Sequence, residues 1–588
     1  MAACSEAPQV VRDQYPLPQD AEVIPSEPGH YGGTYVIDWS EPATFNLLYP
    51  GSHASSVAQG MLFNGLIRTD PVTFQPEPVL AKSWEIGENG KTYTFHLRQG
   101  IKWSDGEPLD ADDVIFTFDA IYDERYVNRY AYSYQQDGQP FTYEKLDSYT
   151  VRFTTPDIFA PFMNSIGWAD ILPEHILREA FDNGTLLEQF STKTAQETPE
   201  RLVGTGPFVL KSYQPGERMV FAPNPHYWRA DSAGNRLPYI DHFIWRFVDN
   251  ANARKINFFT GQTDSLDPIG ASDIAWLEEN APLWDYTLHD QGPDTSIQFF
   301  WFNQNRDLNE DGEPYQDPIK LAWFTDRNFR QAVITALNRE GIANGPYQTK
   351  ATPLHSVITP GNPYWYYPEV PKYAYDPQKA RALLRESGFS WDAEDQLLDK
   401  DGNPVVFTIL GVAGGSAHYE SMVTTIRQNL RDIGMQVDLS LIDFNTLIRK
   451  ADTTQDYDAA LLAFTGGGDP AGGKSLYLSS GKHHMWHPEQ KEPATEWEAR
   501  IDAIIAEQER TLDQDRRKEL FNELQVIFSR EVPLIYLLNP QAFCGMKNKW
   551  QNQQILFAAI LPYWNLDELW SIEFAPEKVS PALAQSAP

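Results

Sequence analysis

The segment FTGGGDPAGG, residues 464–473, is the part of this chain whose composition most plainly suggests contact with another molecule. Five of its ten residues are glycine, and it carries one carboxylate, Asp469, directly before Pro470. Glycine lets the backbone approach another group closely or adopt a positive φ. The carboxylate of Asp469 can pair with a cationic group of a ligand, or it can cap the turn that contains it. Both uses stay open at this point.

Two other polar clusters resemble metal sites. His483, His484 and His487 lie close together in GKHHMWH, but their spacing matches no zinc pattern, which favours a polar surface loop. DLNEDGEP, residues 307–314, begins like a calcium loop, yet Pro318 stands where a bidentate glutamate is needed. We therefore interpret it as a polar turn and predict no metal and no cofactor.

Signatures of catalysis are missing from the sequence. It contains no GxSxG, HExxH, GxxxxGK[ST] or GxGxxG, the patterns of common hydrolases, zinc proteases and nucleotide-binding enzymes. Acidic pairs are frequent, as expected at this composition, and none can be singled out as catalytic. The sequence therefore predicts that the protein is not an enzyme.

The charge balance excludes some partners. Lys and Arg number 47 against 81 Asp and Glu, so the formal net charge is −34 over 588 residues. Such a chain repels nucleic acid and anionic lipid headgroups. No run of 18 apolar residues occurs, so the sequence predicts no membrane-spanning helix.

The two cysteines invite different interpretations. MAACSEAP resembles the end of a bacterial lipoprotein signal peptide, in which Cys4 would receive lipid; a terminal cysteine without function is the alternative. The residues after Cys4 are rich in Pro and acids, which indicates an extended tether to about residue 30. Cys544 lies in an apolar run, so we expect a buried, unpaired thiol.

The elements expected around these residues alternate between strands and helices. Asn89-Gly90 between alternating flanks predicts a hairpin with Tyr93, Phe95 and Leu97 on one face. Helical spacing predicts helices over 326–340, 375–389 and 494–531, and a strand–helix–strand unit over 404–443. Such units imply parallel strands in an α/β fold.

Several stretches together resemble the bacterial extracellular solute-binding proteins of the peptide, nickel and oligosaccharide ABC-importer class. The first is AKSWEIGENGKTYTFHLRQGIKWSDGEPLDADDVIFTF, residues 81–118, with its Trp-Ser-Asp-Gly turn at 103–106. Shorter matches lie at 204–208, 224–228, 257–264, 324–340, 375–384 and 426–439. The combined resemblance runs from about residue 32 to about residue 570.

The resemblance implies an α/β clamshell of the periplasmic-binding-protein type, with two hinged lobes plus an additional third lobe. The chain would cross between lobes I and III near 295–305 and near 532–539. The implied division is a tether at 1–30, lobe I at 31–62, lobe II at 63–203, lobe I again at 204–296, lobe III at 297–532, and a last part of lobe I with the C-terminal tail at 533–588.

The resemblance also implies where ligand would bind. Peptide binders of the class carry an Asp four residues before the Pro of the glycine loop, to pair with the peptide ammonium. That place is Gly466 here, so Asp469 becomes the nearest substitute. The further candidate contacts are Gly467, Gly468, Phe464, Trp301, Asn303, Ser52 and His53.

The leading functional hypothesis is the substrate-binding component of an ABC importer that captures an oligopeptide and delivers it to membrane permease subunits. The alternative is the same scaffold for an oligosaccharide or another uncharged solute, favoured by Gly466 and by the Trp and Tyr content. A secreted hydrolase is the third. We expect a monomer in the periplasm or on the outer face of the cytoplasmic membrane.

Overall fold

The computed structural model describes residues 15–49, 52–71, 73–126, 131–309, 311–414, 417–466, 469–556 and 564–575. Its main elements form three sheet-and-helix bodies, here called lobes I, II and III, and one sheet that links lobe I with lobe III. In the described residues no helix is long and apolar enough to cross a bilayer.

Lobe I is built on a four-stranded sheet with a parallel edge. Its strands are ordered Phe208–Gln214, Arg218–Pro223, His242–Phe247 and Thr34–Trp39. The first two pairings are antiparallel and the last is parallel. Helices His53–Leu62, Ala251–Phe259 and Ala271–Asn280 follow or adjoin these strands.

Lobe II contains an antiparallel sheet ordered Ala81–Ile86, Thr92–Leu97, Thr150–Thr154 and Thr142–Asp147. The predicted hairpin at Asn89-Gly90 is confirmed: Gly90 has a φ of +67°, and Tyr93, Phe95 and Leu97 are buried. The lobe's helices are Ala111–Tyr122, Phe162–Ile166, Glu174–Asp182 and Thr192–Glu197.

Lobe III has a five-stranded mixed sheet covered on both faces. The strand order is Gln436–Ile442, Val406–Val412, Ala459–Thr465, Ser296–Phe302 and Leu534–Tyr536. Side chains of a strand alternate between faces, so Phe299 and Trp301 enter one core while Phe300 and Phe302 enter the other. The helices are Pro318–Thr325, Arg327–Ala336, Arg339–Asn344, Pro377–Glu386, Ala417–Arg431, Phe444–Ile448, Lys474–Tyr477, Glu496–Glu509 and Gln514–Glu531.

Two of the predicted helices are divided in the structure. The helix predicted at 326–340 ends at Ala336, because Leu337 is extended and Asn338 caps a new helix at Arg339. The helix predicted at 494–531 is two helices, since Asp513 caps the second at Gln514. In both segments the apolar periodic pattern continues, but a short polar capping residue, Asn338 or Asp513, begins a new helix.

The chain crosses between lobes through a separate sheet. Leu538–Lys547 pairs antiparallel with Ser265–Leu266, Tyr286–Pro293 and Ala351–Pro353. The first crossing lies at residues 294–295, just before the strand Ser296–Phe302, which itself belongs to lobe III. The second lies at Leu537, between the strands Leu534–Tyr536 and Leu538–Lys547.

The hydrophobic cores follow the same division. A single large cluster includes Tyr35 of lobe I and Phe95 of lobe II, whereas the lobe III residues form two clusters of their own. Lobes I and II therefore pack as one body against lobe III. The predicted clamshell with an additional lobe is confirmed.

The described part of the expected tether is not free of the lobes. Glu22–Val23 pairs in parallel with Arg229–Ala230, and Ile24 is 1% exposed. Arg236 also donates hydrogen bonds of 2.8 Å to the carbonyls of Tyr15 and Pro16. The prediction of a flexible tether is therefore wrong for residues 15–30, whereas Cys4 lies outside the described residues. Cys544 is buried and unpaired, as expected.

Short strand pairs and single helical turns complete the fold. The pairs are Ile67–Thr69 with Pro76–Pro78, Gln135–Gln136 with Gln139–Pro140, Ser390–Trp391 with Leu397–Leu398, and Trp550–Gln551 with Trp570–Ser571. The turns are Ala131–Tyr134, Leu186–Glu188, Pro199–Arg201, Ala281–Leu283, Arg449–Thr454, Pro470–Gly473, Leu566–Glu568 and Ile572–Phe574.

Candidate functional site

The carboxyl ends of parallel strands define one edge in lobe I and one in lobe III. In lobe I, Thr34–Trp39 and His242–Phe247 run in parallel and lead to residues 40–55 and to the helix Ala251–Phe259. In lobe III, Val406–Val412 is parallel to Gln436–Ile442 and to Ala459–Thr465, which leads into the glycine loop. Ligands of open α/β sheets bind outside such strand ends.

The crossing strands hold the glycine loop in place. Asp294 donates its backbone N–H to the carbonyl of Pro540 at 2.8 Å, which joins the two crossings. Gly466 donates its N–H to the carbonyl of Thr295 at 3.1 Å. A Cβ on Gly466 would lie 2.6 Å from that carbonyl oxygen, closer than real contacts allow. This glycine makes room for the crossing backbone, and an aspartate cannot occupy the position without moving the loop.

Both carboxylate oxygens of Asp469 already bind groups of the protein itself. Arg517 lies 2.9 Å from both carboxylate oxygens, Asn164 of lobe II donates to Oδ2 at 2.9 Å, and the Ala471 N–H donates to Oδ1 at 3.0 Å. The side chains of Arg517 and Asp469 are 1% and 7% exposed. The expectation that Asp469 pairs with a ligand ammonium is therefore wrong, because Arg517 neutralises its charge and the turn uses its hydrogen-bonding capacity.

Trp301 and Asn303 do not reach the cleft either. Both are 0% exposed. Trp301 donates from Nε1 to the Tyr457 hydroxyl at 2.9 Å, and Asn303 donates from Nδ2 to the Gln455 carbonyl at 2.9 Å. Their expected ligand contact is corrected, since the strand taken for a crossing lies inside lobe III.

Three other candidates remain at the two edges. Phe464 is partly exposed, with its ring 5.3 Å from that of Phe299. Ser52 is exposed and accepts the N–H of Ser55 at 3.2 Å as the cap of the helix that begins at His53. The exposed His53 ring lies 5.6 Å from Trp39. Gly467 and Gly468 lie outside the described residues.

A cavity of about 550 Å³ lies between the two edges. Lobe I contributes Arg254, Leu266, Pro268 and Asp273, among others, and lobe III contributes Gln348 and Ser421. Its volume is within the range of sites for small molecules, about 300–1,000 Å³. Residues of both lobes therefore form the wall of this cavity.

Sequence reasoning missed one residue beside this cavity, Asp267. It stands between two lining residues, Leu266 and Pro268, and it is partly exposed. Burial raises the pKa of Asp267 to about 7. The only signal in the sequence was an acid directly before a proline, which occurs elsewhere in the chain as well.

Direct contacts between lobes II and III close the other side of the clamshell. The Ala160 N–H donates to the Glu509 carbonyl at 2.7 Å, next to the contact of Asn164 with Asp469. Arg510 lies 2.8 Å from Asp137 and 3.5 Å from Asp157. Lobes II and III are therefore in direct contact through backbone, amide and charged groups.

Hydrogen bonds within the protein account for the polar residues of the two segments that resemble metal sites. His484 is buried beside Glu498, with Nε2 and Oε1 3.3 Å apart. Asn309 accepts the N–H groups of Asp311 and Glu313 at 3.0 and 2.9 Å, so DLNEDGEP closes as a turn on itself. In the described residues no group of three His, Cys, Asp or Glu could hold a metal ion.

Comparison with known proteins agrees with this architecture. Residues 75–485 match the family described as bacterial extracellular solute-binding proteins, family 5 middle. The dipeptide-binding protein of Escherichia coli is 27% identical over 516 residues, 83% of this chain and 85% of that one. The periplasmic alpha-galactoside-binding protein of Rhizobium meliloti is 29% identical over 379 residues, 60% of this chain and 52% of that one.

A solved structure shows the same fold. The oligopeptide-binding protein AppA of Bacillus subtilis, in complex with a nonapeptide, has a TM-score of 0.70 at 23% identity and covers 92% of this chain and 100% of its own. The relatives are solute-binding proteins rather than enzymes. The predicted role as substrate-binding component of an importer is confirmed. The chain belongs to the family of bacterial extracellular solute-binding proteins, family 5.

Proposed function

We propose that this protein captures a short peptide between lobes I and III and delivers it to the permease subunits of an ABC importer. The observation that carries the proposal is a cavity walled by both lobes, at the carboxyl ends of their parallel strands, in a chain related over most of its length to a dipeptide-binding protein. Ligand contacts with both lobes favour the closed form over the open one.

The cavity size fits a short peptide held with water. Peptide binding through backbone hydrogen bonds leaves side chains in wet, tolerant pockets. The crossing strands supply a fixed backbone next to the glycine loop, as the contact between Gly466 and Thr295 illustrates. The lining residue Gln348 supplies a polar side chain for the peptide amides.

An uncharged oligosaccharide is the second candidate. Two observations favour it: Arg517 neutralises Asp469, and Gly466 stands where peptide binders carry an acid. The relationship to an alpha-galactoside-binding protein supports the same alternative. Under either candidate the protein turns over no substrate and acts as a monomer in the periplasm or on the outer face of the cytoplasmic membrane, where it is anchored if Cys4 is lipidated.

Calorimetric titration separates the two candidates. Protein freed of cargo by unfolding and refolding would be titrated with tetraalanine and, separately, with the neutral trisaccharide raffinose. We expect saturable binding of the peptide only. Saturable binding of the sugar without the peptide would overturn the peptide proposal and favour the second candidate.

A further inference from the structure

One carboxylate beside the cavity, that of Asp267, has no hydrogen bond or ion pair with the described residues. Asp267 follows the strand Ser265–Leu266, which pairs with Gly545 and Met546 of the long crossing strand. The residues on both sides of it line the cavity between the lobes. The strand pairing therefore holds Asp267 at the junction of lobe I and the crossings, on a rigid element.

No described residue forms a hydrogen bond or an ion pair with the Asp267 side chain, although it is packed on several sides. Asp273, a neighbour on the cavity wall, differs in this respect, because Lys255 Nζ lies 3.0 Å from its Oδ1. Arg254 is the cation that influences Asp267, but it donates to the Val248 carbonyl at 2.5 Å and lies 3.5 Å from Ser40 Oγ. Both cations of this wall therefore have other partners.

The surroundings of Asp267 make a bare negative charge costly. Burial is the largest cause of its raised pKa, Asp294 at the first crossing adds to it, and Arg254 opposes it. Tyr35 of the lobe I sheet and Cys544 of the crossing strand, which also face it, both have raised pKa values. The charged form of such a partly buried carboxylate is stabilised when an opposite charge comes within about 4–6 Å.

We propose that Asp267 receives the protonated amino terminus of the bound peptide and so replaces the acid missing at Gly466. This inference rests on the peptide function proposed above and names the residue that selects for a free amine. Asp469 cannot serve, since Arg517 and Asn164 occupy its oxygens. Asp267 differs from Asp469 in its position beside the cavity and in having no hydrogen bond or ion pair with the described residues.

Asp170 of lobe II provides a matched control. Its side chain also has no hydrogen bond or ion pair with the described residues, and burial likewise raises the pKa of Asp170 to about 7. However, neither Asp170 nor its neighbours line the cavity between the lobes. If the amine needs only an unpaired buried acid, Asp170 would serve equally well; if position decides, only Asp267 does.

The test compares tetraalanine with N-acetyl-tetraalanine by calorimetry on cargo-free wild type, Asp267→Asn and Asp170→Asn. Acetylation removes the positive charge and little else. We expect the wild type and Asp170→Asn to prefer the free amine by about 10- to 100-fold, the range for a hydrogen bond to a charged group. In Asp267→Asn the preference should fall to within about threefold, and circular dichroism checks that each variant is folded.

The pH dependence gives a second readout. Because binding of an amine requires the charged carboxylate, the wild-type affinity for tetraalanine should rise from pH 5.5 to pH 7.5, with protons released at the lower pH. Asp267→Asn should lose this rise, whereas Asp170→Asn should keep it. A structural role of Asp267 alone would weaken both peptides equally and leave their ratio unchanged.

Each other outcome overturns the inference. If Asp267→Asn keeps the full preference, if Asp170→Asn loses it, or if the wild type binds both peptides equally, Asp267 is not the amine acceptor, while the peptide function stands. If the wild type binds neither peptide, the inference fails together with the proposed function.

Discussion

Lobe II and lobe I face lobe III in different ways. Lobe II meets it directly: Ala160 donates to the Glu509 carbonyl, Asn164 donates to Asp469, and Arg510 pairs with Asp137 and Asp157. Lobe I meets it across a cavity of about 550 Å³, with Lys350 and Glu278 3.3 Å apart as an ion pair between the two sides. Lobe II therefore contacts lobe III directly, whereas lobe I faces lobe III across a cavity beside Asp267, which has no hydrogen bond or ion pair with the described residues.

The carboxylates of Asp469, between lobes II and III, and of Asp267, beside the cavity, also differ in their partners. Asp469 has its charge and hydrogen-bonding capacity used within the protein, whereas Asp267 has no partner among the described residues. A buried carboxylate that loses its partner destabilises the fold, and one without a partner costs free energy until a counter-charge is supplied. Partners, rather than residue type, separate a structural acid from a binding acid.

Replacing Arg517 should lower the free energy of unfolding more than any other substitution considered. Arg517→Met keeps most of the side-chain volume but leaves Asp469 charged in a nearly dry site, so the free energy of unfolding should fall by ~3–5 kcal/mol. Urea denaturation measures the loss, and Arg517→Met with Asp469→Asn should recover part of it. A loss below about 1 kcal/mol would show that Asp469 is solvated and available to ligand.

Asn164 tests the closing contact between lobes II and III. Asn164→Ala removes a hydrogen bond to a carboxylate, typically ~1.5–3 kcal/mol, and the loss falls on the closed form alone. Ligand-free protein should therefore have a larger radius of gyration in small-angle scattering. The control is Asn183→Ala at the end of the lobe II helix Glu174–Asp182. An unchanged radius for Asn164→Ala would remove the closing role of this contact.

Gly466 tests the packing of the glycine loop on the crossing. Gly466→Ala places a methyl group 2.6 Å from the Thr295 carbonyl oxygen, so the loop or the crossing must shift. We expect a loss of ~1–3 kcal/mol in urea denaturation and weaker ligand binding. Gly472→Ala in the same loop meets no atom within 4 Å and should change little. Equal effects of the two variants would contradict the packing explanation.

Replacing Arg510 should have the smallest effect on stability and on ligand binding. Its side chain is 44% exposed and those of Asp137 and Asp157 are 59% and 48% exposed, so solvent screens both pairs. Arg510→Ala should cost ~0.2–1 kcal/mol and weaken ligand binding by less than about fivefold, with the difference fading at high salt. A larger effect that persists in 1 M salt would mean that these pairs act as a buried network.

The sequence correctly predicted those elements whose structure depends on the local pattern of apolar and turn-forming residues. The hairpin at Asn89-Gly90 and the strand–helix–strand unit around Ala417–Arg431 formed as their periodicity indicated. The segment at residues 15–30 was misjudged because its order comes from Arg229 and Arg236, about two hundred residues away. A polar segment reveals no such partner in its own composition.

The site was harder to predict, for the same reason. The loop suggested Asp469 because local spacing is visible in a sequence, whereas Arg517 lies 48 residues further on and Asn164 lies 305 residues earlier. Trp301 and Asn303 were assigned to a crossing that begins at residue 294 and leaves them inside lobe III. Asp267 was overlooked because its position beside the cavity, and its lack of a partner among the described residues, depend on the three-dimensional structure.

We propose that the space between lobes I and III holds a peptide with a free amino terminus. The most direct measurement is to purify the protein from cells, denature it and identify the released small molecules by mass spectrometry. We expect a ladder of short peptides with unblocked amino termini. A glycan or another single uncharged species would contradict it and would identify Gly466 as a change of specificity toward neutral solutes.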